Sequence, residues 1–175
     1  MKKEITHTQI HAINKLHYKI VGLYARLDNE LGINPHLYKV LHGLVVSDLH
    51  TQKDIAQSYE MPKQTINNVI LSLQKQGFIE VQTSTTDKRE KLIYLTQSGA
   101  KYAQDFIAQY TDFEREIYQR FGAQKFEKLI AIYADFEVAF SEVLGEIQTQ
   151  RAQDKEAQSQ NQAQKKQHQQ NGGAK

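Results

Sequence analysis

The fold of this chain is most constrained by the stretch Thr51–Thr96, in which three patterns of hydrophobicity follow one another in a fixed order. Thr51 and Asp54 have the spacing at which a hydroxyl caps a helix N-terminus and an acid three residues on reaches back. They predict a short helix that breaks at Glu60 and Met61. Its apolar side consists of Ile55, Ala56 and Tyr59.

A second helix is predicted after the break, from Pro62 to Gln76. Proline is favoured at the first position of a helix, and Gly77 is the residue type that favours its end. Four apolar side chains recur at i, i+3, i+4 and i+7, which places them on one buried face. They are Ile66, Val69, Ile70 and Leu73.

The period then changes to two, which is typical of β-strands. Residues 78–81 and 92–95 alternate in this way and flank a polar loop at 82–91, which we expect to be flexible. Helix, turn, helix and hairpin in this order predict a winged helix-turn-helix. The expected fold class is mainly α, with a small β-hairpin wing and dimerisation helices at both ends.

The outer face of the second helix carries amides, hydroxyls and lysines, and no acid lies between Pro62 and Gln76. A solvated helix face usually mixes Glu with Lys. The absence of carboxylates therefore favours a surface that meets phosphates and base edges. A polar face that contacts only water stays open as the alternative.

The run MPKQTINNVILSLQKQGFIE, the triplet Asp87-Lys88-Arg89 at the hairpin tip and the run YLTQSG after it resemble the multiple-antibiotic-resistance regulator (MarR) family of bacterial transcription factors. The resemblance covers about residues 10–147, and the triplet matches the family's Asp-x-Arg wing signature. Pro62 departs from the pattern, because many members have a capping Ser there.

The resemblance implies that the second helix enters the major groove of DNA, and that Arg89, held by Asp87, enters the adjacent minor groove. It also implies a cavity for a small-molecule effector between the dimerisation helices and the winged domain. The expected DNA-binding residues are Lys63, Gln64, Thr65, Asn67, Asn68, Asp87, Lys88, Arg89 and Lys91. The effector-binding residues are unassigned; polar and aromatic side chains near that junction are His17, Tyr18, Tyr24, His36, Tyr38 and His42.

The remaining helices are marked by their end signals and apolar spacing. Asn34 and Pro35 predict the start of a helix, Thr96 caps a long helix, and Gly122 breaks it. The last helix has apolar residues at steps of 3 and 4, from Phe126 to Ile147. A seven-residue repeat of this kind is typical of a helix that packs against a partner helix. We therefore expect a homodimer, rather than packing of the terminal helices on each other within one monomer.

The chain divides into four expected parts. Residues 1–34 form an N-terminal dimerisation helix, 35–96 the winged helix-turn-helix, and 97–150 the C-terminal dimerisation helices. Residues 151–175 form a Gln-rich tail without branched aliphatic or aromatic side chains. Such a segment cannot bury enough apolar surface to offset its ordering entropy, so we expect it to be disordered, apart from first turns that extend the preceding helix.

Composition narrows the function classes. The net charge of +2 comes from the tail, which carries +3, so DNA binding depends on where charge lies rather than on a basic excess. The absence of cysteine excludes disulfides, thiolate switches and cysteine zinc sites. Neither a membrane-spanning run nor a signal peptide is present, which predicts a cytoplasmic protein with no membrane partner. No catalytic, metal or cofactor motif is found, so we expect no enzyme.

The sequence therefore predicts a transcriptional regulator, a repressor, that binds a pseudo-palindromic A·T-rich double-stranded operator as a homodimer and is released by a small molecule. Amides pair best with adenine, and this face offers no arginine for guanine. The alternative is a winged-helix module that binds proteins without specific DNA binding. The operator, the target genes, the effector and the role of the tail are not specified by the sequence.

Overall fold

The computed structural model describes residues 7–171, which contain six helices and one two-stranded antiparallel sheet. The helices are α1 (His7–Leu31), α2 (Pro35–Val45), α3 (Gln52–Tyr59), α4 (Lys63–Lys75), α5 (Gln97–Phe121) and α6 (Ala123–Asn171). The strands are β1 (Ile79–Thr83) and β2 (Lys91–Leu95). The expected fold class, mainly helical with a β-hairpin wing, is confirmed. The chain forms two compact units, one up to Arg115 and one from Glu116.

The predicted caps are present at α2 and α3. The Asn34 side chain accepts hydrogen bonds from the backbone N–H groups of His36 and Leu37, with Pro35 in the first turn of α2. At α3, Thr51 Oγ1 accepts from Asp54 N at 3.0 Å and donates to the Asp54 carboxylate at 2.7 Å. The acid therefore binds the capping hydroxyl itself, and both caps satisfy N–H groups that a helix leaves free.

The turn between α3 and α4 begins at Glu60, which has left-handed backbone angles with φ of 47°. Pro62 lies one position earlier than predicted. It is the N-cap of α4, its carbonyl accepts from Thr65 N and Ile66 N, and no side chain caps this end. Gly77 ends α4 as predicted, with φ of 74°, a conformation that favours glycine.

The hairpin has Ile79 opposite Leu95 and Thr83 opposite Lys91. The loop between the strands, which we expected to be flexible, contains hydrogen bonds of its own. Ser84, which is only 5% exposed, accepts from the backbone N–H groups of Thr86 and Asp87, and Ser84 N donates to Glu90 O. A turn held by side-chain acceptors in this way has a defined shape before it meets a ligand.

The buried core is formed mainly by the helices and strands of the winged helix-turn-helix. Ile66, Ile70 and Leu73 of α4 are buried as predicted, and Val69 is half-buried. Burying side chains of this size contributes roughly 1.5–3 kcal/mol each. This apolar contact fixes which face of α4 remains outside. The buried cluster consists of Val40, Leu41, Leu44, Ile55, Met61, Ile66, Ile70, Leu73, Ile79, Ile93 and Ala103.

The start of α5 is bound tightly to the end of α4. Thr96 Oγ1 accepts from Gly99 N at 3.0 Å, which confirms the predicted cap, and it donates to Gly77 O at 2.8 Å. A Cβ on Gly99 would lie 1.8 Å from Phe78 O, and the Phe78 and Tyr102 rings stack at 4.4 Å. Gly99 is thus required by close backbone approach.

Large apolar side chains are exposed along α1 and, separately, along α6. Many of them recur at steps of three and four residues and form one apolar seam on each helix, in which Leu16 of α1 is 60% exposed and Phe140 of α6 is 61% exposed. The other exposed members of these seams are Ile13, Ile20, Leu23, Leu129, Tyr133, Phe136, Val143 and Ile147. An apolar surface of this extent is typical of an interaction site.

Helix α6 differs from the expected tail. It continues through the Gln-rich segment to Asn171, whereas we expected disorder from Arg151 apart from the first turns. Gln, Ala, Lys and Glu have high helix propensities, and no Gly or Pro interrupts them before Gly172. Residues 172–175 of the expected tail, and residues 1–6 of the expected N-terminal part, lie outside the described residues. The four-part division of the chain stays a prediction.

Candidate nucleic-acid interface

The outer face of α4 is open to solvent along its length. Lys63, Gln64 and Asn68 are exposed, while Thr65 and Asn67 are half-buried at the edges of the face. Leu71 follows one turn after this group and is 55% exposed. Because the opposite side of α4 is anchored in the core, this helix presents a fixed array of amides, hydroxyls and lysines. Such groups can donate to phosphates and read base edges.

Two of the predicted side chains contact each other. Gln64 Nε2 donates a hydrogen bond to Asn68 Oδ1 at 3.0 Å, across one turn of α4. The amide of each residue is thereby oriented before any ligand is bound. Their positions in the sequence predict a shared helix face, and the i, i+4 spacing of two amides is the signal by which this unpredicted bond could have been found.

The wing brings Asp87 and Arg89 together. Arg89 Nε donates to Asp87 Oδ1 and Arg89 Nη2 to Asp87 Oδ2, both at 3.2 Å, and Arg89 N also donates to Oδ1 at 2.9 Å. The hydrogen bonds from the side chain and backbone of Arg89 hold the pKa of the Asp87 carboxyl below its ordinary value. The expectation that Asp87 holds Arg89 is confirmed.

The Arg89 side chain projects into solvent despite this contact. It is 92% exposed, so its remaining N–H groups are free to meet a ligand. Lys88 and Lys91 are exposed too, but Lys91 Nζ donates to Thr83 Oγ1 at 2.6 Å. Lys91 therefore lies where β2 leaves the loop, opposite Thr83, while Arg89 and Lys88 lie within the loop at the hairpin tip.

A cluster of aromatic and acidic side chains links α1, α2 and α5. The Tyr38 and Tyr110 rings lie 4.3 Å apart, Tyr110 donates to Asp28, and Tyr38 donates to Glu114 at 3.4 Å. Burial, followed by the neighbouring carboxylates, raises the pKa of both tyrosines. Of the junction residues named from sequence, Tyr38 belongs to this cluster. Its partners lie far away in sequence, so spacing could not reveal them.

A second polar contact lies beside this cluster. His42 Nδ1 and Tyr59 Oη are 2.8 Å apart, joining α2 to α3. Among the side chains that the structure describes, no three His, Cys, Asp or Glu groups are placed to hold a metal ion. Within the same part of the chain, no helix is both long enough and apolar enough to cross a membrane.

The fold and the exposed face of α4 define a winged helix-turn-helix protein. Residues 33–91 match the family model described as the MarR family. The structure is similar to NMB1585, a MarR family regulator from Neisseria meningitidis, with a TM-score of 0.70 and 26% identity over 79% of this chain and 97% of that one. The chain is therefore similar to transcriptional regulators of the MarR family, in sequence over residues 33–91 and in its fold.

Two further comparisons show how far the similarity to transcriptional regulators extends. The uncharacterized HTH-type transcriptional regulator YdcH of Bacillus subtilis is 36% identical over 64 residues, which are 37% of this chain and 41% of YdcH. The match thus spans about two fifths of that relative. The S. aureus MepR–DNA complex shares the fold, with a TM-score of 0.57 and 20% identity over 78% of this chain and 99% of that one.

Proposed function

We propose that this protein is a homodimeric, sequence-specific DNA-binding regulator whose α4 helices enter the major groove and whose wings reach the adjacent minor groove. The observation that carries this proposal is the pairing of an acid-free, solvent-exposed α4 face with an Arg89 guanidinium positioned by Asp87. Lys63 and Lys88 add positive charge at the two ends of this surface. The MepR relative of the same fold is a DNA complex, which supports the same use here.

The dimer is supported by the exposed seams of α1 and α6. Leu16 and Phe140 are each about three fifths exposed, although both belong to regular apolar repeats. A second copy of the chain would bury these repeats, and a two-fold axis would duplicate the α4 helix. The dimerisation parts would then be residues 1–34 and 97–150, with the winged helix-turn-helix at 35–96.

A two-fold dimer would read a pseudo-palindromic operator, with half-sites about one helical turn apart. The α4 face offers Gln64, Asn67 and Asn68, whose amides pair best with adenine, and it offers no arginine for guanine. Leu71 would pack on a thymine methyl group. Arg89 would favour the narrow minor groove of A·T-rich DNA. The proposed operator is therefore A·T-rich.

Regulation by a small molecule is supported by the aromatic and acidic cluster of Asp28, Tyr38, Tyr110 and Glu114. It joins α1 and α5, which would hold the dimer, to α2, which supports the reading helix. A ligand that separated these rings would change the position of α2 and with it α4. The regulator would act in the cytoplasm, and as a dimer covering a promoter it would repress by excluding polymerase.

Selection from a pool of random duplexes at near-physiological salt tests this function. Purified protein should enrich an A·T-rich inverted repeat, and Arg89→Ala should enrich it far less while remaining dimeric. Enrichment of G·C-rich half-sites would overturn the proposed reading by amides. The absence of enrichment by the wild type would overturn the DNA-binding function under those conditions.

The second candidate is a winged-helix module that binds a protein partner. The exposed Leu71, which is 55% accessible on the reading face, favours it. Leu71→Ala distinguishes the two functions. If α4 reads DNA, Leu71→Ala should keep most of the wild-type affinity for duplex DNA. If α4 binds a protein, neither wild type nor Leu71→Ala should enrich any duplex, and Leu71→Ala should bind the protein partner more weakly.

A further inference from the structure

The hydrogen bond between Gln64 and Asn68 changes what each amide can offer to a base. A side-chain amide has one oxygen acceptor and two N–H donors. Gln64 uses one N–H on Asn68 Oδ1, at 3.0 Å, and keeps Oε1 and one N–H. Asn68 has its oxygen engaged and presents its two N–H groups. Both side chains are exposed, so these remaining groups face solvent.

The remaining groups of Gln64 match adenine. In the major groove, adenine presents the N6 amino donor and the N7 acceptor, and a glutamine amide pairs with both through its oxygen and the N–H on the same side. The opposite N–H is then free to donate to Asn68. The bond seen between the two side chains is therefore compatible with a bidentate contact to adenine, and it restricts rotation of the amide away from that orientation.

The remaining groups of Asn68 suit a different neighbour. Two N–H donors fit the acceptors of the major groove, which are thymine O4, guanine O6 and purine N7. Asn68 lies one helical turn from Gln64, about 6 Å along α4. The hydrogen bond nevertheless brings the two amide groups within 3.0 Å of each other, which is close to the rise of about 3.4 Å between adjacent base pairs.

We propose that Gln64 and Asn68 act as one specificity unit, in which Asn68 fixes the Gln64 amide for adenine and itself donates to an acceptor on a neighbouring base pair. This inference rests on the proposed DNA-binding function and extends it. The resemblance to the family places both residues in the groove separately. The new element is their dependence on each other, with Asn68 as a positioning residue for Gln64.

Asn67 provides the matched control. It is also an amide on α4 and was also predicted to contact DNA, but it is half-buried. No hydrogen bond of its side chain is found within residues 8–156. Removing Asn67 should therefore leave the orientation of Gln64 unchanged, whatever contact Asn67 itself makes.

A double-mutant cycle on the selected operator tests the proposal. The proteins are wild type, Gln64→Ala, Asn68→Ala, Asn67→Ala and the double variants Gln64→Ala/Asn68→Ala and Gln64→Ala/Asn67→Ala. Dissociation constants are measured by fluorescence anisotropy, and circular dichroism shows that each variant is folded. We expect the Gln64/Asn68 double variant to lose about tenfold less affinity than the product of its two single losses. The Gln64/Asn67 losses should multiply.

The base preference of each variant gives a second readout. The adenine position whose preference disappears in Gln64→Ala should also lose its preference in Asn68→Ala, but not in Asn67→Ala. Multiplicative losses for Gln64 and Asn68, with the adenine preference intact in Asn68→Ala, would overturn the specificity unit and leave the DNA-binding function standing. If wild type enriches no duplex, the proposed function itself fails, which is a distinct result.

Discussion

Arg89 is bound by Asp87 through both carboxylate oxygens, two residues apart at the tip of an exposed hairpin. The contact uses Nε and one Nη2 hydrogen of the guanidinium and leaves its other N–H groups in solvent. An arginine side chain without such a contact would lose more conformational entropy on binding. The wing therefore presents a guanidinium whose orientation is set in advance, as the proposed insertion into a narrow minor groove requires.

The pKa of Asp87 should depend on Arg89. Because the folded-state pKa is lowered, the contact is present above the ordinary carboxyl pKa and is lost as the pH falls through the lowered value. In Arg89→Ala, the pKa of Asp87 should rise toward that of an ordinary aspartate. A carboxyl-carbon NMR titration of both proteins measures this. An Asp87 pKa that is the same in the two proteins would mean that the contact does not persist in solution.

Gly99→Ala should destabilise the protein strongly. The added Cβ would lie 1.8 Å from the carbonyl oxygen of Phe78, and backbone cannot rotate away as a side chain can. We expect a loss of about 3 kcal/mol or more in the free energy of unfolding, measured by urea denaturation. Gly22→Ala is the control, since a Cβ there meets nothing within 4 Å, and it should stabilise α1 by about 1 kcal/mol. Equal stability of the two variants would contradict the close approach.

Phe140→Asp should dissociate the proposed dimer. Phe140 belongs to the apolar seam of α6 and is 61% exposed, so a charge there would be buried against a second copy. Light scattering coupled to gel filtration should give half the wild-type mass. Val138→Asp is the matched control, because Val138 is 53% exposed but lies on the opposite side of α6. Loss of the dimer in both variants, or in neither, would contradict the assigned seam.

Thr51→Ala should weaken α3. The Thr51 hydroxyl is the hydrogen-bond acceptor for Asp54 N and the donor to the Asp54 carboxylate. Removing this cap should cost about 0.5–2 kcal/mol of folding free energy. Thr51→Ser keeps the hydroxyl and should recover most of the loss in thermal denaturation. A serine variant as unstable as the alanine variant would assign the effect to the lost methyl group instead.

Much of the fold follows from local signals in the sequence. The i, i+3, i+4, i+7 spacing of Ile66 and its neighbours predicted the buried face of α4, and Gly77 and Gly122 predicted two helix ends. These predictions succeeded because a helix end or an amphipathic face is decided by residues within a few positions of each other.

Other features depend on atoms that are distant in sequence or on competing preferences. The approach of Gly99 to Phe78 and the Tyr38–Tyr110 contact require the folded core, so spacing could not predict them. Pro62 is the N-cap of α4 because its backbone carbonyl accepts the first hydrogen bonds of the helix, and no side chain caps this end. The segment after Arg151 lacks branched aliphatic and aromatic residues, which predicted disorder. Its residues nevertheless have high helix propensities, and α6 continues through them.

The most direct test of the two-fold reading mechanism is hydroxyl-radical footprinting of the selected operator, because these radicals cleave at sugars exposed in the minor groove. Wild type should protect two minor-groove patches related by two-fold symmetry. Arg89→Ala, at concentrations that restore occupancy, should lose both patches. A footprint without two-fold symmetry, or one unchanged in Arg89→Ala, would contradict the account.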